Sequence, residues 1–471
     1  MLTENKEYTL VKDIDRKLIE SFDSKIYGEV IFPGDPLYEE ARKVYNAMID
    51  KYPGMIVRCA DVADVVETVN FARENHLLVA VRGGGHNGGG LGVCEGGLVI
   101  DLSAIRFVRV HADEQIVTVG GGNVWAEVDK ATHPFGLAIP AGIISTTGVG
   151  GLTLGGGVGY LSRKYGLTID SLLEAEMVLA DGQQVTVNED QYADLFWAIR
   201  GGGGNFGIVT AFTFQGHPVE NVFGGPTLWP IEKTPEILDW YQEFIKNAPD
   251  DLNGFFLTLT IPGPPFPEHL HNKQFCGVVW CYLGGADKVK EVFKPVRDKQ
   301  PIFEHMDEMP YPGFQSLFDG MLPPGLQWYW RADFFNELNN GQAEIHLQHC
   351  TDMPSALSQM HLYPISGAAS RIADDATAWA YRDAKYAGVI VGVDPNPDNA
   401  GTITKWCKEY WKALHPYSSG GAYVNFLMDE GQDRVRASYR HNYERLTKVK
   451  LKYDPDNLFR TNQNILPYAE S

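Results

Sequence analysis

The sequence predicts an α+β protein with two domains, a glycine-rich first domain and a second domain built on an antiparallel sheet. Three observations support this fold class. Of the 50 glycines among the 471 residues, 28 lie between Arg82 and Gly207. Residues 35–101 alternate helical and strand patterns, which is typical of parallel strands joined by helices. From about Val219 onward, aromatic-rich strand patterns alternate with helices, which indicates a separate antiparallel sheet.

The bulk composition excludes several classes of protein. The net charge of −20 argues against a nucleic-acid-binding protein, which needs a basic patch. Six cysteines without a CxxC pair predict scattered reduced thiols. The first residues lack the apolar run of a signal peptide. No run of about 18 apolar residues is present, so no membrane-spanning helix is predicted. We therefore expect a cytoplasmic enzyme that binds neither nucleic acid nor membranes.

The elements of the first domain follow from hydrophobic spacing and caps. Residues 35–52 have helical spacing and end before Pro53. A strand at 55–60, a helix that begins after Asp61 and a strand at 77–84 form a strand–helix–strand unit, consistent with a parallel pair. The remaining patterns predict strands within 91–103, 104–122 and 183–187, a helix at 123–136, and a helix, glycine loop and strand within 194–214.

The second domain begins where proline and aromatic residues become frequent. Its predicted strands include 255–261, 274–283 and 326–335, and its predicted helices include 234–247. After Ala422 a charged helical stretch covers 433–454, and a loop follows it.

Two glycine-rich segments are candidates for binding a phosphorylated ligand. Residues 83–88 satisfy GxGxxG after a strand, but the glycines that follow cannot form the helix of a dinucleotide-binding motif. No P-loop motif is present. The 82–87 segment could instead be a nest of backbone N–H groups around a pyrophosphate, with charge from Arg82, and the 148–159 segment could close the other side. The alternative is a set of tight turns in a β-rich domain.

The same residues carry a family resemblance. Residues 81–103, 119–130, 140–172 and 196–214 resemble the FAD-binding domain of the vanillyl-alcohol oxidase/p-cresol methylhydroxylase superfamily, and 423–429 and 453–465 resemble its berberine bridge enzyme-like branch. The resemblance runs from about Gly28 to Pro467. It implies a two-domain p-cresol methylhydroxylase-type FAD-binding fold with an antiparallel-sheet substrate domain. The implied boundaries are 1–218 for the FAD-binding domain, 219–421 for the substrate domain and 422–471 for a C-terminal segment that returns to the FAD-binding domain.

The resemblance implies a covalent flavin. In relatives, the histidine of Arg-Gly-Gly-Gly-His, here His86, is bonded to the 8α-methyl carbon of FAD. Some members add a cysteinyl bond, but Ile144 occupies that position here, and Cys94 does not match the motif. We therefore expect FAD attached by a single covalent bond through His86.

Further residues are implied in cofactor binding by their positions in the matching motifs. Thr147 lies near a position that governs access of oxygen to the flavin in relatives. Ile208 resembles a backbone contact to adenine, and Asn462 resembles a residue that returns to the flavin. The loop residues implied at the cofactor are Arg82, Gly83, Gly84, Gly85, Asn87, Gly148, Gly150, Gly151, Gly155, Gly156 and Gly159.

The implied activity is that of an FAD-dependent oxidoreductase. The resemblance predicts hydride transfer from an alcohol, sugar or phenolic metabolite to flavin N5, followed by reoxidation by O2 to give hydrogen peroxide. A dehydrogenase that uses another electron acceptor and a flavin-binding protein with little turnover are the alternatives. The expected partners are a small-molecule substrate and O2, and the large sheet leaves surface for a homodimer.

The catalytic base is where this sequence departs from its relatives. Many relatives have a tyrosine at the position of Phe426, which cannot accept a proton. Tyr423 and Asn425 are expected to line the flavin edge. Plant-type members have a glutamate as base where this chain has Ser370 and Arg371, and Arg371 would favour an anionic substrate or pair with an acid elsewhere. The alternative is that Arg371 is a solvated surface charge.

Strand alternation supplies a substitute base. It puts Gln327, Tyr329, Arg331 and Asp333 on one face of the 326–335 strand. If that face lines the pocket, Tyr329 is the proposed base; the alternative is an aromatic face packed in the core. No metal is expected, since the HxxH of residues 346–349 lacks supporting carboxylates.

Overall fold

The computed structural model describes residues 8–264 and 266–467. Residues 1–7, where the predicted first domain and the segment tested for a signal peptide begin, lie outside the described part, as do residues 468–471 of the predicted C-terminal segment. The strands up to residue 218 are β1 Glu29–Ile31, β2 Met55–Arg58, β3 Val79–Arg82, β4 Leu98–Asp101, β5 Val108–His111, β6 Ile116–Gly120, β7 Leu137–Ala138, β8 Leu172–Val178, β9 Gln184–Val187, β10 Ile208–Gln215 and β11 His217–Pro218. The helices are α1 Arg16–Asp23, α2 Tyr38–Ala41, α3 Val62–Glu74, α4 Trp125–Thr132, α5 Val149–Gly155, α6 Ser162–Tyr165 and α7 Ala193–Ile199.

The first sheet contains the predicted strand–helix–strand unit. Its order is β1-β2-β4-β3, and β2 and β3 each pair parallel with β4. Helix α3 begins as predicted, because the Asp61 carboxylate accepts from the backbone N–H of Ala63 at 2.9 Å. The parallel arrangement is confirmed, but β4 lies between the two strands, so they are not direct neighbours.

A second, antiparallel sheet has the order β5-β6-β10-β8-β9. Val178 of β8 and Ile208 of β10 belong to the same buried cluster as Val65 and Val69 of α3, so α3 is packed between the two sheets. The first residue of β10, Ile208, thereby packs in the same cluster as residues of the first sheet.

The second half of the chain forms the predicted antiparallel sheet, with the order β15-β12-β14-β13-β18-β19-β17 and β16 beside β12. Its strands are β12 Asn221–Pro230, β13 Leu252–Thr260, β14 Gln274–Tyr282, β15 Phe303–Glu304, β16 Asp307–Pro310, β17 Gln327–Phe335, β18 Gln359–Pro364 and β19 Tyr386–Asp394. The helices are α8 Thr234–Asn247, α9 Val289–Val292, α10 Lys294–Asp298, α11 Tyr311–Gln315, α12 Asn340–Thr351, α13 Ala368–Arg371, α14 Ala400–Leu414, α15 Gln432–Tyr439 and α16 Asn442–Tyr453. The mixed helix-and-sheet fold predicted from the sequence is confirmed.

The two faces of this sheet pack against different partners. Met360 and Leu362 of β18 and Ile390 of β19 share a buried cluster with helices α8, α12 and α14. Tyr363 of β18 and Val389 of β19 belong to the cluster that extends into the first half of the chain. Alternate residues of β17, β18 and β19 therefore face the glycine-rich segments.

The prediction of a helix over 35–52 is wrong. Only α2 is helical, and the backbone hydrogen bonds of the following residues go to distant segments. The N–H of Tyr45 donates to the Gly85 carbonyl at 3.0 Å, and the N–H of Ala47 donates to the Leu326 carbonyl at 2.9 Å. The Asn46 amide donates to the carbonyl of Gly88 at 2.7 Å. These contacts hold residues 45–47 as a non-helical segment, the strap, across the loop that carries His86.

The 148–159 segment also differs from its prediction as a loop, since it contains the seven-residue helix α5. Its apolar residues Val149 and Leu152 are buried in the central cluster, and this burial compensates for the low helix propensity of glycine. The charged 433–454 stretch is helical as predicted, but it breaks at Arg440, where φ is 46°.

Candidate active site

A cavity of about 300 Å³ lies between the glycine-rich segments and the sheet. The described structure brings most of the predicted site residues to this cavity. Those that line it are Arg82, Gly83, Gly84, Gly85, His86, Asn87, Thr147, Gly148, Gly150, Gly151, Ile208, Tyr423, Asn425 and Asn462.

The two glycine-rich segments cross with their backbones in contact. A Cβ added at Gly84 would lie 2.6 Å from both Cα and N of Gly148. A Cβ added at Gly148 would lie 2.5 Å from the N of Gly84. Because such distances are well inside van der Waals contact, only glycine fits at both positions. The crossing places the His86 loop and the start of α5 on the same wall of the cavity.

We expect Gly84→Ala to displace this crossing. The methyl group would meet the backbone of Gly148, so the free energy of unfolding should fall by about 1–3 kcal/mol, as in other overpacked sites. Flavin bound per protein, measured by absorbance, should fall with it. Gly313→Ala is the control, because an added Cβ at Gly313 meets no atom within 4 Å. Equal flavin content in the two variants would contradict this role of the crossing.

His86 is positioned by the strap at Tyr45. The two rings are stacked, with centroids 3.9 Å apart and planes inclined by 22°. The Nε2 atom of His86 is buried and has no hydrogen-bond partner within the described part of the chain. Burial lowers the pKa of His86 to about 4, so the imidazole is neutral above that pH. An unpartnered nitrogen of an uncharged imidazole at a cavity wall is suited to a covalent bond with a ligand.

Arg82 does not present a free charge to the cavity, in contrast to the prediction. Its guanidinium donates to the Asp101 carboxylate at 2.8 Å and to the Lys43 carbonyl at 3.3 Å. Its aliphatic stem lies 3.5 Å from the position of a Cβ on Gly85. Arg82 therefore packs against the His86 loop, and Asp101 neutralises the charge of Arg82.

Gly155, Gly156 and Gly159 do not line the cavity, which corrects their assignment to the cofactor loop. A Cβ at Gly155 would lie 2.1 Å from the side-chain oxygen of Asn425. At Gly156 it would meet the Trp379 ring at 2.8 Å, and at Gly159 the Ala141 carbonyl at 2.0 Å. These glycines give space to other parts of the protein rather than to a ligand.

The C-terminal segment closes the cavity beside β10. The Asn462 amide donates to the Gly204 carbonyl at 2.9 Å. Asn205 donates to the Gln463 carbonyl at 3.1 Å and accepts from the Ile465 N–H at 3.0 Å. The 201–207 loop is thus held by residues some 260 positions later in the chain.

Tyr423 and Asn425 lie together at the end of α5. The Tyr423 hydroxyl oxygen accepts from the Gly157 N–H at 2.9 Å and from the Asn425 amide at 2.8 Å. Burial raises the pKa of Tyr423 to about 12, against these two hydrogen bonds, which lower it. Tyr423 is therefore protonated at neutral pH, and its oxygen is already occupied as an acceptor.

Tyr329 does not line the cavity, so the condition for its assignment as the base is not met and the alternative of a packed face holds. Tyr329 points to the helical side of the sheet, where Lys408 of α14 lies 5.5 Å from the centre of its ring. Trp328 and Trp330 of the same strand line the cavity instead. Both faces of β17 are covered by other parts of the protein, so the alternation of residues does not indicate which face meets the cavity.

Other residues of the Tyr329 face form a charge network away from the cavity. Arg331 pairs with Glu430, and Asp333 pairs with Arg434 at 2.9 Å. Gln327 is buried and does not line the cavity.

Arg371 is also remote from the cavity. Its side chain is 62% exposed and pairs with Asp250 at 2.8 Å. The structure therefore places Arg371 in a solvent-exposed ion pair with an acid, and not at the cavity.

Sequence patterns did not single out the sheet wall of the cavity, which carries Trp328, Trp330, Gln359, His361 and Tyr363. The available signal was the alternation of polar residues at 359, 361 and 363 in a short strand. Across the sheet, Gln359 is in register with Val391 and His361 with Val389, so that the polar row of β18 lies beside an apolar row.

The polar row is linked by hydrogen bonds. His361 Nε2 lies 2.7 Å from Gln359 Oε1, and His361 Nδ1 lies 2.7 Å from the Tyr363 hydroxyl. Burial lowers the pKa of His361 to about 3 and raises the pKa of Tyr363. Both groups are therefore uncharged at neutral pH.

The cavity has little net charge of its own. Among the described residues that line it, Arg82 is the only side chain with a permanent charge, and Asp101 pairs with it. The protein carries a net charge of −20 elsewhere. The cavity is consequently suited to an uncharged substrate, since a charged group would lose its hydration without a partner.

The residues present fit a flavin. His86 Nε2, Trp328 Nε1, Trp330 Nε1 and the Tyr439 hydroxyl are buried at the cavity without a partner in the described part of the structure. Buried polar atoms normally have partners, so these atoms mark positions where a ligand supplies them. Glycine backbone on one wall and aromatic rings on the other suit a planar cofactor that carries a pyrophosphate.

The remaining candidates from the sequence have ordinary structural roles. His346 of the HxxH is hydrogen-bonded to the Tyr410 hydroxyl at 2.5 Å. Cys94 is buried beside the Leu98 carbonyl, 3.5 Å from its sulfur, and does not line the cavity. No helix within residues 8–264 and 266–467 is long and apolar enough to cross a membrane.

Comparison with known proteins agrees with the geometry. Residues 53–188 match the model of an FAD-binding domain, and residues 422–466 match the berberine and berberine-like model. An FAD-linked oxidoreductase of Dictyostelium discoideum is 32% identical over 461 residues, covering 96% of this chain and 97% of that protein. (R)-6-hydroxynicotine oxidase of Paenarthrobacter nicotinovorans is 27% identical, covering 94% and 97%.

Solved structures share the whole architecture. Berberine bridge enzyme-like protein 1 of Physcomitrella patens matches with a TM-score of 0.85 and 25% identity, covering 96% of this chain and all of that one. The 6-hydroxy-D-nicotine oxidase of Arthrobacter nicotinovorans matches with a TM-score of 0.84 and 25% identity, covering 94% and 98%. With these similarities over nearly its full length, the chain belongs to the berberine bridge enzyme-like family of FAD-linked oxidoreductases.

Proposed function

We propose that this protein is an oxidase that removes a hydride from an uncharged alcohol, sugar or phenol and that holds its FAD by one covalent bond through His86. The observation that carries the cofactor part is the unpartnered Nε2 of His86 at the crossing of the glycine segments. When bound, a flavin would supply two-electron chemistry, with a hydride from a substrate carbon as the reductant and O2, which becomes hydrogen peroxide, as the oxidant.

A single attachment is supported by the residue at the second attachment position. Ile144, at the position where doubly linked relatives have cysteine, lines the cavity with an inert side chain. Burial raises the pKa of the Cys94 thiol to about 12, so it is not a thiolate at neutral pH.

The substrate class follows from the lining. A cavity with aromatic and aliphatic walls, a neutral row of Gln359, His361 and Tyr363, and no unpaired charge among the described lining residues favours an uncharged molecule with a hydroxyl group. Tyr423 and Asn425 contribute to orienting it, because both also line the cavity.

The purified wild-type protein tests this proposal in two steps. After acid precipitation, we expect the yellow flavin to stay with the polypeptide. Anaerobic addition of candidate alcohols, sugars and phenols should then bleach the flavin in the native protein, and air should restore it with formation of hydrogen peroxide. Bleaching that only an artificial electron acceptor reverses would indicate a dehydrogenase. A flavin that no candidate bleaches would support a binding protein with little turnover.

A further inference from the structure

We propose that Tyr363, His361 and Gln359 form the proton-accepting group of the reaction, in place of the tyrosine that this chain lacks at position 426. This inference rests on the proposed oxidation of a hydroxyl-bearing substrate. The three side chains occupy one face of β18 and line the cavity.

The hydrogen bonds fix the direction of proton transfer. The carbonyl oxygen of Gln359 can only accept, so His361 Nε2, at 2.7 Å, must carry the ring proton. In a neutral imidazole the other nitrogen is then an acceptor. The Tyr363 hydroxyl therefore donates to His361 Nδ1, also at 2.7 Å. The hydrogen bonds therefore run from the Tyr363 hydroxyl to His361 and from His361 to Gln359, and a proton can move from Tyr363 to His361 Nδ1.

The side chains around the polar row keep its hydrogen bonds in one protonation state. His361 is only 6% exposed, and Phe255 lies beside both rings, with centroids 5.3 Å from His361 and 5.0 Å from Tyr363. With its lowered pKa, His361 keeps its acceptor nitrogen free of a proton throughout the neutral range. Burial raises the pKa of Tyr363, so its hydroxyl stays protonated at neutral pH and keeps donating to His361 Nδ1.

The position of Tyr363 relative to Phe426 supports the proposal that Tyr363 takes the role of the tyrosine missing at position 426. The ring of Phe426 lies between Tyr423 and Tyr363, with centroid distances of 4.8 and 5.6 Å. The hydroxyl that position 426 lacks is thus present on the neighbouring ring of Tyr363. Tyr423 is the poorer candidate, because its oxygen accepts two hydrogen bonds and no base among residues 8–264 and 266–467 receives its proton.

The proposed step conserves atoms and electrons. As the substrate carbon gives up a hydride to the bound flavin, the substrate O–H bond breaks and its proton passes to the Tyr363 oxygen. At the same time the proton of Tyr363 passes to His361 Nδ1. The substrate becomes a carbonyl compound that has lost two electrons, and His361 is a short-lived cation, disfavoured by burial, which returns its proton through the Tyr363 hydroxyl to the cavity once the product has left.

Stopped-flow reduction of the flavin without oxygen tests the step. Tyr363→Phe keeps the ring and removes only the hydroxyl, and we expect the reduction rate to fall by about 100-fold or more, the usual contribution of general base catalysis. Substrate affinity and flavin content should change little. His361→Gln should be similarly slow. Tyr282→Phe, which removes a hydroxyl from β14 of the same sheet outside the cavity lining, should match the wild type.

A second measurement does not depend on turnover. In protein labelled with 15N-histidine, His361, identified by its absence in His361→Gln, should be the Nε2–H tautomer at neutral pH. An Nδ1–H tautomer, or a Tyr363→Phe variant that reduces its flavin as fast as the wild type, would overturn this inference alone. Failure of every hydroxyl-bearing compound to reduce wild-type flavin would instead overturn the proposed function, and this inference with it.

Discussion

His86→Ala should release all of the flavin into the supernatant when the protein is precipitated with acid. His86 presents the unpartnered ring nitrogen at the cavity, and Tyr45 holds its ring in place. A tether keeps the effective concentration of a ligand at its site near the millimolar range or above, so without it, occupancy is set by free FAD. At about micromolar free FAD we expect activity to fall by roughly 10-fold or more, and added FAD to restore part of it.

Cys94→Ala is the matched control, because it removes the thiol nearest to His86 in sequence while leaving the ring nitrogen intact. Its flavin should remain in the precipitate, as in the wild type. If the His86→Ala precipitate stayed yellow, the attachment would have to be reassigned to another side chain. If the wild type itself released its flavin, the covalent bond would be refuted, while binding of FAD would still stand.

Lys450→Met should lower the free energy of unfolding by about 3–5 kcal/mol, the usual cost of removing one partner from a buried ion pair. The side chains of Lys450 and Asp454 are fully buried and 2.6 Å apart. Lys450 also donates to the carbonyls of Asn205 at 2.7 Å and Phe459 at 3.2 Å. The substitution leaves the Asp454 carboxylate without its cation and frees the 201–207 loop at the cavity. Urea denaturation followed by tryptophan fluorescence measures the loss, and flavin content should fall as well.

Lys452→Met provides the control two residues away on the same helix. Lys452 pairs with Asp194 at 2.7 Å, but the two side chains are 60% and 37% exposed. Exposed pairs contribute less than about 1 kcal/mol. Equal losses in the two variants would show that the buried pair is not essential to the C-terminal closure. Adding Asp454→Leu to Lys450→Met should not restore stability fully, because Asp454 also accepts from the N–H of Leu458 at 2.7 Å.

Local patterns predicted the elements well where periodicity and caps agree. Helix α3 begins after Asp61 as expected, and α8 has the predicted bounds. The pattern failed over residues 35–52, where helical spacing is overridden by hydrogen bonds from Asn46 and its neighbours to distant loops. It also failed at the glycines of α5, where burial of two apolar side chains outweighs propensity. In both failures, tertiary contacts contribute more to the free energy of folding than the local conformational preference of the chain.

The sequence alone determined the glycine-rich loop that ends at His86, the glycines that permit a backbone crossing, and the absence of a hydroxyl at Phe426. These features depend on residue identity and short spacing, which a single segment carries in full. The tertiary structure decided which wall faces the flavin loops. It selected Trp330 rather than Tyr329, brought Tyr45 under the His86 ring, and aligned His361 with Tyr363. A strand buried on both faces alternates in the same way whichever side packs against the site, so only the packing of the sheet onto the first half of the chain could fix these contacts.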